Sequence, residues 1–321
     1  MASGLASASA ISTTFGGRYL AEFIQLPTLA VALVFIIVLA LINFIGISES
    51  VRLNVVLTLI EAVGLLLILL IGAVALSGGT GDVGRPFEFR EDANVPLAIL
   101  IGSVVAFYAL IGFEDSANVA EEVRDPSRTF PRALFAGLLA AGVLYMLVGF
   151  VASLVVEPET LASSSGPLLE VVEQGPVALP TQLFSIIALM AITNTALINL
   201  VMASRIVYGM ARENVVPAAL GRTHRTRRTP WVAIVFTTLI SLGLIVTGGN
   251  LENLAGTTVM LLLVVFAIVN VSVLVLCRDP VDHPHFRAPA AIPVLGALTC
   301  LLLLTQQSGE TYWRGFSSCW L

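Results

Sequence analysis

The sequence predicts an all-α polytopic membrane protein with about eight transmembrane helices. Three observations carry this. Of 321 residues, 57% are hydrophobic and 12% charged, and the mean hydropathy is +0.95. A soluble domain of that length cannot hide so much apolar surface. Several apolar runs exceed the ~18 residues that mark a candidate span, and arginine-rich and arginine-poor connections alternate between them.

Residues 1–26 are small and moderately polar, without the positive n-region of a signal peptide, and read as an outside segment. Spans follow at about 27–47, 54–77, 95–121, 134–156, 182–211, 231–248, 253–277 and 289–306. Asp125-Pro126 and Phe130-Pro131 separate the third span from the fourth, because proline tolerates only the first turn of a helix. The longest outside loop, Glu157–Thr181, is acidic and holds a short helix lying over the entrance. Residues 305–321 stop as if another span were about to begin, so both ends read as cut, with plain tails as the alternative.

All 16 basic residues are arginine. With the 48–53 loop placed inside, Arg52, Arg124, Arg128, Arg132, Arg205, Arg212, Arg222, Arg225, Arg227, Arg228, Arg278 and Arg287 fall inside. Only Arg18, Arg85, Arg90 and Arg314 fall outside. Cytoplasmic loops carry the excess of positive charge, so this asymmetry sets the orientation.

Acidic residues inside apolar spans are the main functional signal. A carboxylate at membrane depth costs roughly 2.5–3.5 kcal/mol and is rarely there without a task. Glu114 and Asp115 sit near the end of the third span, beside Gly112, with Ser116 and Asn118 as polar partners for freed backbone groups. A broken helix with charge at its break is one way transporters build a binding site. Tyr108, one turn earlier, can stack on a ligand or pack in the core; Glu114 can serve the site, cap the helix or pair with an arginine. Glu121 and Glu122 read as ion-pair partners of Arg124 and Arg128.

Glu61 lies in the second span without a basic neighbour there. It is either a proton carrier or a hydrogen-bonding partner to another helix. Thr193, Asn194, Thr195 and Asn199 interrupt the 182–211 span, where such groups either line a site or join helices. Thr195 and Asn199 share a face, with Asn194 displaced by about 100°. Cys277, Cys300 and Cys319 have no metal-like spacing, and His283 and His285 form an HxH with no further ligand nearby. No HExxH, Walker A or GxSxG motif is present, so no enzyme, metal or cofactor is expected.

The stretch GFEDSANVAEEVRDPSRTFPRAL resembles amino-acid permeases of the amino acid–polyamine–organocation superfamily. Ser204–Ile234 is similar to the end of that family's eighth helix and its following loop, and FRAPAAIPVLGALTCLLLL, from Phe286, to the entry of its eleventh. The resemblance implies helices four to eleven of a twelve-helix, five-plus-five inverted-repeat fold, in one transmembrane domain spanning 1–321. Residues 1–26 would be the tail of helix three and its outside loop, 27–77 helices four and five, 95–277 helices six to ten, 289–306 helix eleven, and 307–321 a truncated C-terminus. Helices one to three and twelve would be missing.

By the same resemblance, Tyr108 is the aromatic near the substrate, Ile111, Gly112 and Phe113 the unwound backbone, and Glu114 an acidic position linking the site to gating. Glu61 falls where many sodium-independent members carry lysine, and Thr195 and Asn199 on the part of helix eight facing that region. The expectation is a secondary active transporter of amino acids in the cytoplasmic membrane, proton-coupled or an exchanger. Tyr108, Ile111, Gly112, Phe113, Glu114 and Asn199 would bind substrate, and Glu61 and Thr195 the coupling ion, a proton or sodium. Substrate, ion and lipid bilayer are the expected partners, with a homodimer left open and no nucleic acid. A polyamine or other organic-cation transporter and a non-transporting membrane fragment are the alternatives.

Overall fold

The computed structural model describes residues 2–45, 47–89, 94–114, 116–117, 123–164, 166–227, 229–246, 251–277 and 288–306. Among these the chain is helical throughout, without strands. Five helices are long and apolar enough to cross a membrane: Thr28–Ile45, Leu53–Ser77, Pro126–Val155, Thr181–Arg212 and Thr258–Leu276. Three shorter apolar stretches, Val95–Phe107, Trp231–Val246 and Ala291–Leu304, complete the eight regions expected from hydropathy. The protein is thus a polytopic helical membrane protein.

The chain divides into two compact units, residues 1–88 with 146–254, and residues 89–145 with 255–321. The first is built around α8 (Thr181–Arg212), on which α1 (Ala2–Thr14), α2 (Thr28–Ile45), α3 (Ile47–Ser77) and α9 (Trp231–Val246) all pack. Residues 2–14 are a helix in the core of this unit, with Leu5, Ala8, Ser9 and Ser12 fully buried. Their Ala/Ser/Gly composition explains this, since small side chains let helix backbones approach. The Ser9 hydroxyl donates to the Leu5 carbonyl at 2.8 Å and stands 3.2 Å from the Ser241 carbonyl on α9. Just beyond α1, Phe15 stacks on Phe35 of α2 at 4.1 Å between ring centroids. A second apolar cluster joins Ile68 and Ile71 of α3, Val151 at the end of α5 (Pro126–Val155), Leu169 and Val171 of α7 (Pro167–Gln174), and Phe184 of α8. The acidic loop therefore holds two short helices, α6 (Pro158–Ser163) and α7, the latter with its apolar side chains buried.

Helix ends in this unit are closed by named groups. After α3, Gly79 takes φ +68°, and the Gly79 and Thr80 N–H groups donate back to the carbonyls of Leu76 and Ala75. After α8, Asn214 does the same at φ +58°, with Asn214 and Val215 donating to Ala211 and Met210. Both are Schellman ends, in which a left-handed residue folds the chain back onto the last free carbonyls. The end of α2 is closed by the loop before α9: Thr229 donates through its hydroxyl to the Phe44 carbonyl and Arg227 through its guanidinium to that of Ile45, each at 3.2 Å. The end of α2 and the start of α9 therefore share one end of the bundle, as alternating spans require.

The second unit comprises α4 (Val95–Leu110), the first twenty residues of α5, most of α10 (Leu251–Leu276) and α11 (Ala291–Leu304). Its core joins Val259 and Leu263 of α10 to Cys300 and Leu303 of α11, with Val104 and Phe107 of α4 packed against them. α10 and α11 meet closely at Gly296, where an added Cβ would lie 2.7 Å from the Asn270 amide oxygen. α5 begins at Pro126 and carries Pro131 within its second turn, so it starts about two turns before the span read from hydropathy.

Candidate functional site

Two places in the fold hold polar groups inside apolar helices, one in each unit. In the first unit, Asn54, Thr58 and Glu61 recur at intervals of four and three on α3, so they share one helix face over roughly 10 Å. That face meets α8 at Asn194. The Asn54 side-chain amide donates to the Asn194 amide oxygen at 2.7 Å, and the Asn194 amide donates to the Thr58 hydroxyl at 3.1 Å. Asn194 is itself only 4% exposed. Close approach of the two helices continues at Gly64, where an added Cβ would lie 2.5 Å from Cγ2 of Ile187.

α8 thus meets this face of α3 through Asn194, a residue not assigned to the site on sequence grounds, which is bonded to Asn54 and to Thr58, three residues before Glu61. Thr195 is exposed and donates to the Ala191 carbonyl of its own helix at 3.2 Å. Asn199 donates to the Ser7 hydroxyl on α1, also at 3.2 Å, and so joins α8 to a different neighbour. The signal for Asn194 was available in the i, i+4, i+7 polar face of α3. It lacked a way of telling which residue of α8 faces it.

In the second unit the third apolar span stops being a helix at Leu110. Ile111 and Gly112 form a turn, and Gly112 takes φ +123°, a conformation that residues with a Cβ rarely adopt. No atom lies within 4 Å of where a Gly112 Cβ would stand, so backbone conformation and not space demands glycine here. Groups that the break releases are satisfied locally. The Gly112 N–H donates to Oε2 of Glu114 at 2.8 Å, and the Ser116 hydroxyl donates to the Phe113 carbonyl at 2.5 Å. Glu114 therefore caps the break. Ile111 packs on the α10–α11 core, and the Phe113 ring lies 5.4 Å from Phe266 of α10. Tyr108 lies on the last turn of α4, but its side chain, with Asp115, Asn118, Glu121 and Glu122, lies outside the described residues.

Beside the break, Ala109, Leu110, Ile111 and Phe113 line an apolar cleft of about 440 Å³ together with Leu134 and Leu138 of α5. Ser116 and Tyr145 add hydroxyl-bearing side chains to its wall. The unit thus places freed backbone groups, a carboxylate and an apolar cavity within one short stretch of chain.

The protein is thus of the class of polytopic helical membrane proteins, with one apolar stretch interrupted at glycine and a carboxyl group within another. Comparison with known proteins narrows the class. The chain belongs to the amino acid permease family, whose family model matches residues 1–310. It is 27% identical over 277 residues to the branched-chain amino acid permease BcaP of Bacillus subtilis, covering 84% of this chain and 57% of that protein. It is 26% identical over 294 residues to the methylthioribose transporter of Bacillus subtilis, covering 90% of this chain and 61% of that protein. It is 26% identical over 313 residues to the human cystine/glutamate transporter, covering 93% of this chain and 60% of that protein. The chain thus spans about three fifths of the length of these relatives.

Proposed function

We propose that the chain works as a secondary active transporter of amino acids in the cytoplasmic membrane, driven by proton coupling or by exchange. The observation that carries this reading is the interruption at Ile111–Gly112 in an apolar span of a permease-family chain. The last carbonyls of α4 carry the negative end of its dipole, and Glu114 adds a carboxylate one turn further on. Both favour the α-ammonium group of a zwitterion. The apolar cleft beside them suits the substrate's side chain. Tyr108 and Asn199 remain proposed substrate contacts, and Glu61 the proposed coupling residue.

The experiment is uptake by the full chain reconstituted in lipid vesicles, with leucine, glutamate, arginine and a polyamine as labelled solutes and an imposed pH gradient. Gradient-driven uptake of an amino acid, abolished by a protonophore, supports proton coupling. Uptake that requires an internal amino acid supports exchange. Vesicles that accumulate none of these solutes under either condition would remove the proposal. The similarity to a methylthioribose transporter favours including that thioether sugar as a second candidate substrate.

A further inference from the structure

The arginine-bearing connections of the chain differ in charge balance. Residues 48–53 carry Glu49 against Arg52, residues 121–132 three acids against three arginines, and residues 278–287 two aspartates against two arginines. The stretch from 205 to 228 is unbalanced, with six arginines and Glu213 as its one acid. The excess positive charge on that side of the membrane is thus gathered at the end of α8 and in the connection from α8 to α9.

This connection is held against the helices of its unit. The short helical turn Ala218–Gly221 lies on the end of α8, where a Cβ added at Gly221 would stand 3.3 Å from that of Ala211. The His224 N–H donates to the Thr229 carbonyl at 2.8 Å, and the Arg227 N–H to Nδ1 of His224 at 3.3 Å. The His224 ring stands edge-on to Phe44 of α2, with centroids 5.3 Å apart, and Thr229 and Arg227 are tied to the last carbonyls of that helix. Arg222 and Arg225 take no part in this holding, and both are exposed. α9 then opens on Trp231, 41% exposed, and Val235 and Leu239 continue the exposed line at intervals of four, on one face of the helix.

We propose that this connection is a docking surface for acidic phospholipid, with Arg222 and Arg225 on the headgroup phosphate and Trp231 at headgroup level. The proposal does not depend on which solute the chain carries. Charge complementarity selects the occupant: six guanidinium groups with one carboxylate among them repel one another until an anion stands between them. Guanidinium matches phosphate geometry in a bidentate fork. An indole at the start of a lipid-exposed helix face sits where membranes hold their aromatic belt, and the face below it offers apolar surface to acyl chains. Because the loop is already fixed, binding costs it little freedom.

The test uses the full chain in vesicles of phosphatidylcholine with a minor fraction of phosphatidylglycerol. Trp313→Phe and Trp320→Phe leave Trp231 as the sole tryptophan, and lipids with brominated chains quench the indole they touch. Brominated phosphatidylglycerol should quench Trp231 more than the same fraction of brominated phosphatidylcholine, and the difference should shrink with salt. Arg222→Gln with Arg225→Gln should bring the two lipids close to parity, since each arginine at an acidic surface is worth roughly fivefold in binding. Arg128→Gln with Arg132→Gln, in a balanced connection, should keep the parent's preference. Equal quenching by the two lipids in the parent overturns the proposal without recourse to any variant. Equal loss in both double variants also overturns it, because net charge would then suffice. So does displacement of the lipid by inorganic phosphate where chloride at the same ionic strength fails, which would make the loop a site for free phosphate.

Discussion

Asn54 and Asn194 face each other across α3 and α8, amide to amide, at 2.7 Å. The seam between these helices continues at Gly64, which is buried against Ile187 of α8. A polar pair within an apolar seam sets register, since sliding either helix by one residue leaves both amides without partners in a medium that offers none. Single interhelical hydrogen bonds in membranes average only ~0.6 kcal/mol. Replacing Asn54 with leucine should therefore lower the melting temperature only slightly while altering the local environment of Asn194.

The close approach at Gly64 predicts a larger effect. Gly64→Ala places a Cβ 2.5 Å from Cγ2 of Ile187, so one helix must shift. Overpacking of this kind costs about 1–3 kcal/mol. Thermal unfolding in detergent should show the loss, and Ile187→Ala in the same chain should recover most of it. A Gly64→Ala protein as stable as the parent would mean the helices are not held this closely.

At the break, Gly112→Ala should destabilise by about 1–3 kcal/mol through the φ it must adopt, although the surrounding space is open. The same substitution should reduce uptake by more than its stability effect accounts for, because a relaxed backbone would continue the helix through the proposed site. Equal melting temperature and equal uptake would show that the turn has no need of glycine.

Glu114 separates capping from charge. Glu114→Gln keeps an acceptor oxygen for the Gly112 N–H, whereas Glu114→Ala leaves that donor to water. Stability should fall by about 0.5–1.5 kcal/mol in the alanine variant and little in the glutamine variant. If Glu114 also attracts the substrate's ammonium group, uptake should fall in both, with KM rising in Glu114→Gln. Should Glu114→Gln transport normally, Glu114 is a cap alone.

Glu61→Gln is expected to flatten the pH dependence of uptake while changing substrate affinity little, because the amide keeps the hydrogen-bonding shape and removes the proton site. Rates followed across pH in vesicles check this. A profile that keeps its shape would remove Glu61 from the mechanism.

Much of this protein could be read along the chain. Apolar runs located the eight helical regions because the cost of exposing backbone polar groups to lipid makes long apolar segments helical. Gly112 marked the interruption, since an isolated glycine next to two acids has little reason to be in a helix. The resemblance around GFEDSANVAEEV agrees with the family to which the chain belongs. Residues 2–14 were harder, because alanine and serine are neither apolar enough to announce a buried helix nor polar enough to exclude one.

Tertiary structure alone decided which polar residue meets which. Asn194 and Thr195 are adjacent in sequence and about 100° apart around α8, and hydropathy gives no rotation to a helix that is apolar on most of its circumference. Packing of α1, α2, α3 and α9 sets that rotation, turning Asn194 toward Asn54 and Thr58 and leaving Thr195 exposed. The role of Glu114 as a cap was settled in the same way. Its sequence position shows a carboxylate near a break; only the turn at Gly112 brings the Gly112 N–H to 2.8 Å from Oε2. The sequence by itself determined where the chain is helical, where it is broken and which family it belongs to, because those depend on local composition. Which polar groups meet was left to the fold, because their partners lie up to 232 residues apart, as Ser9 and Ser241 do.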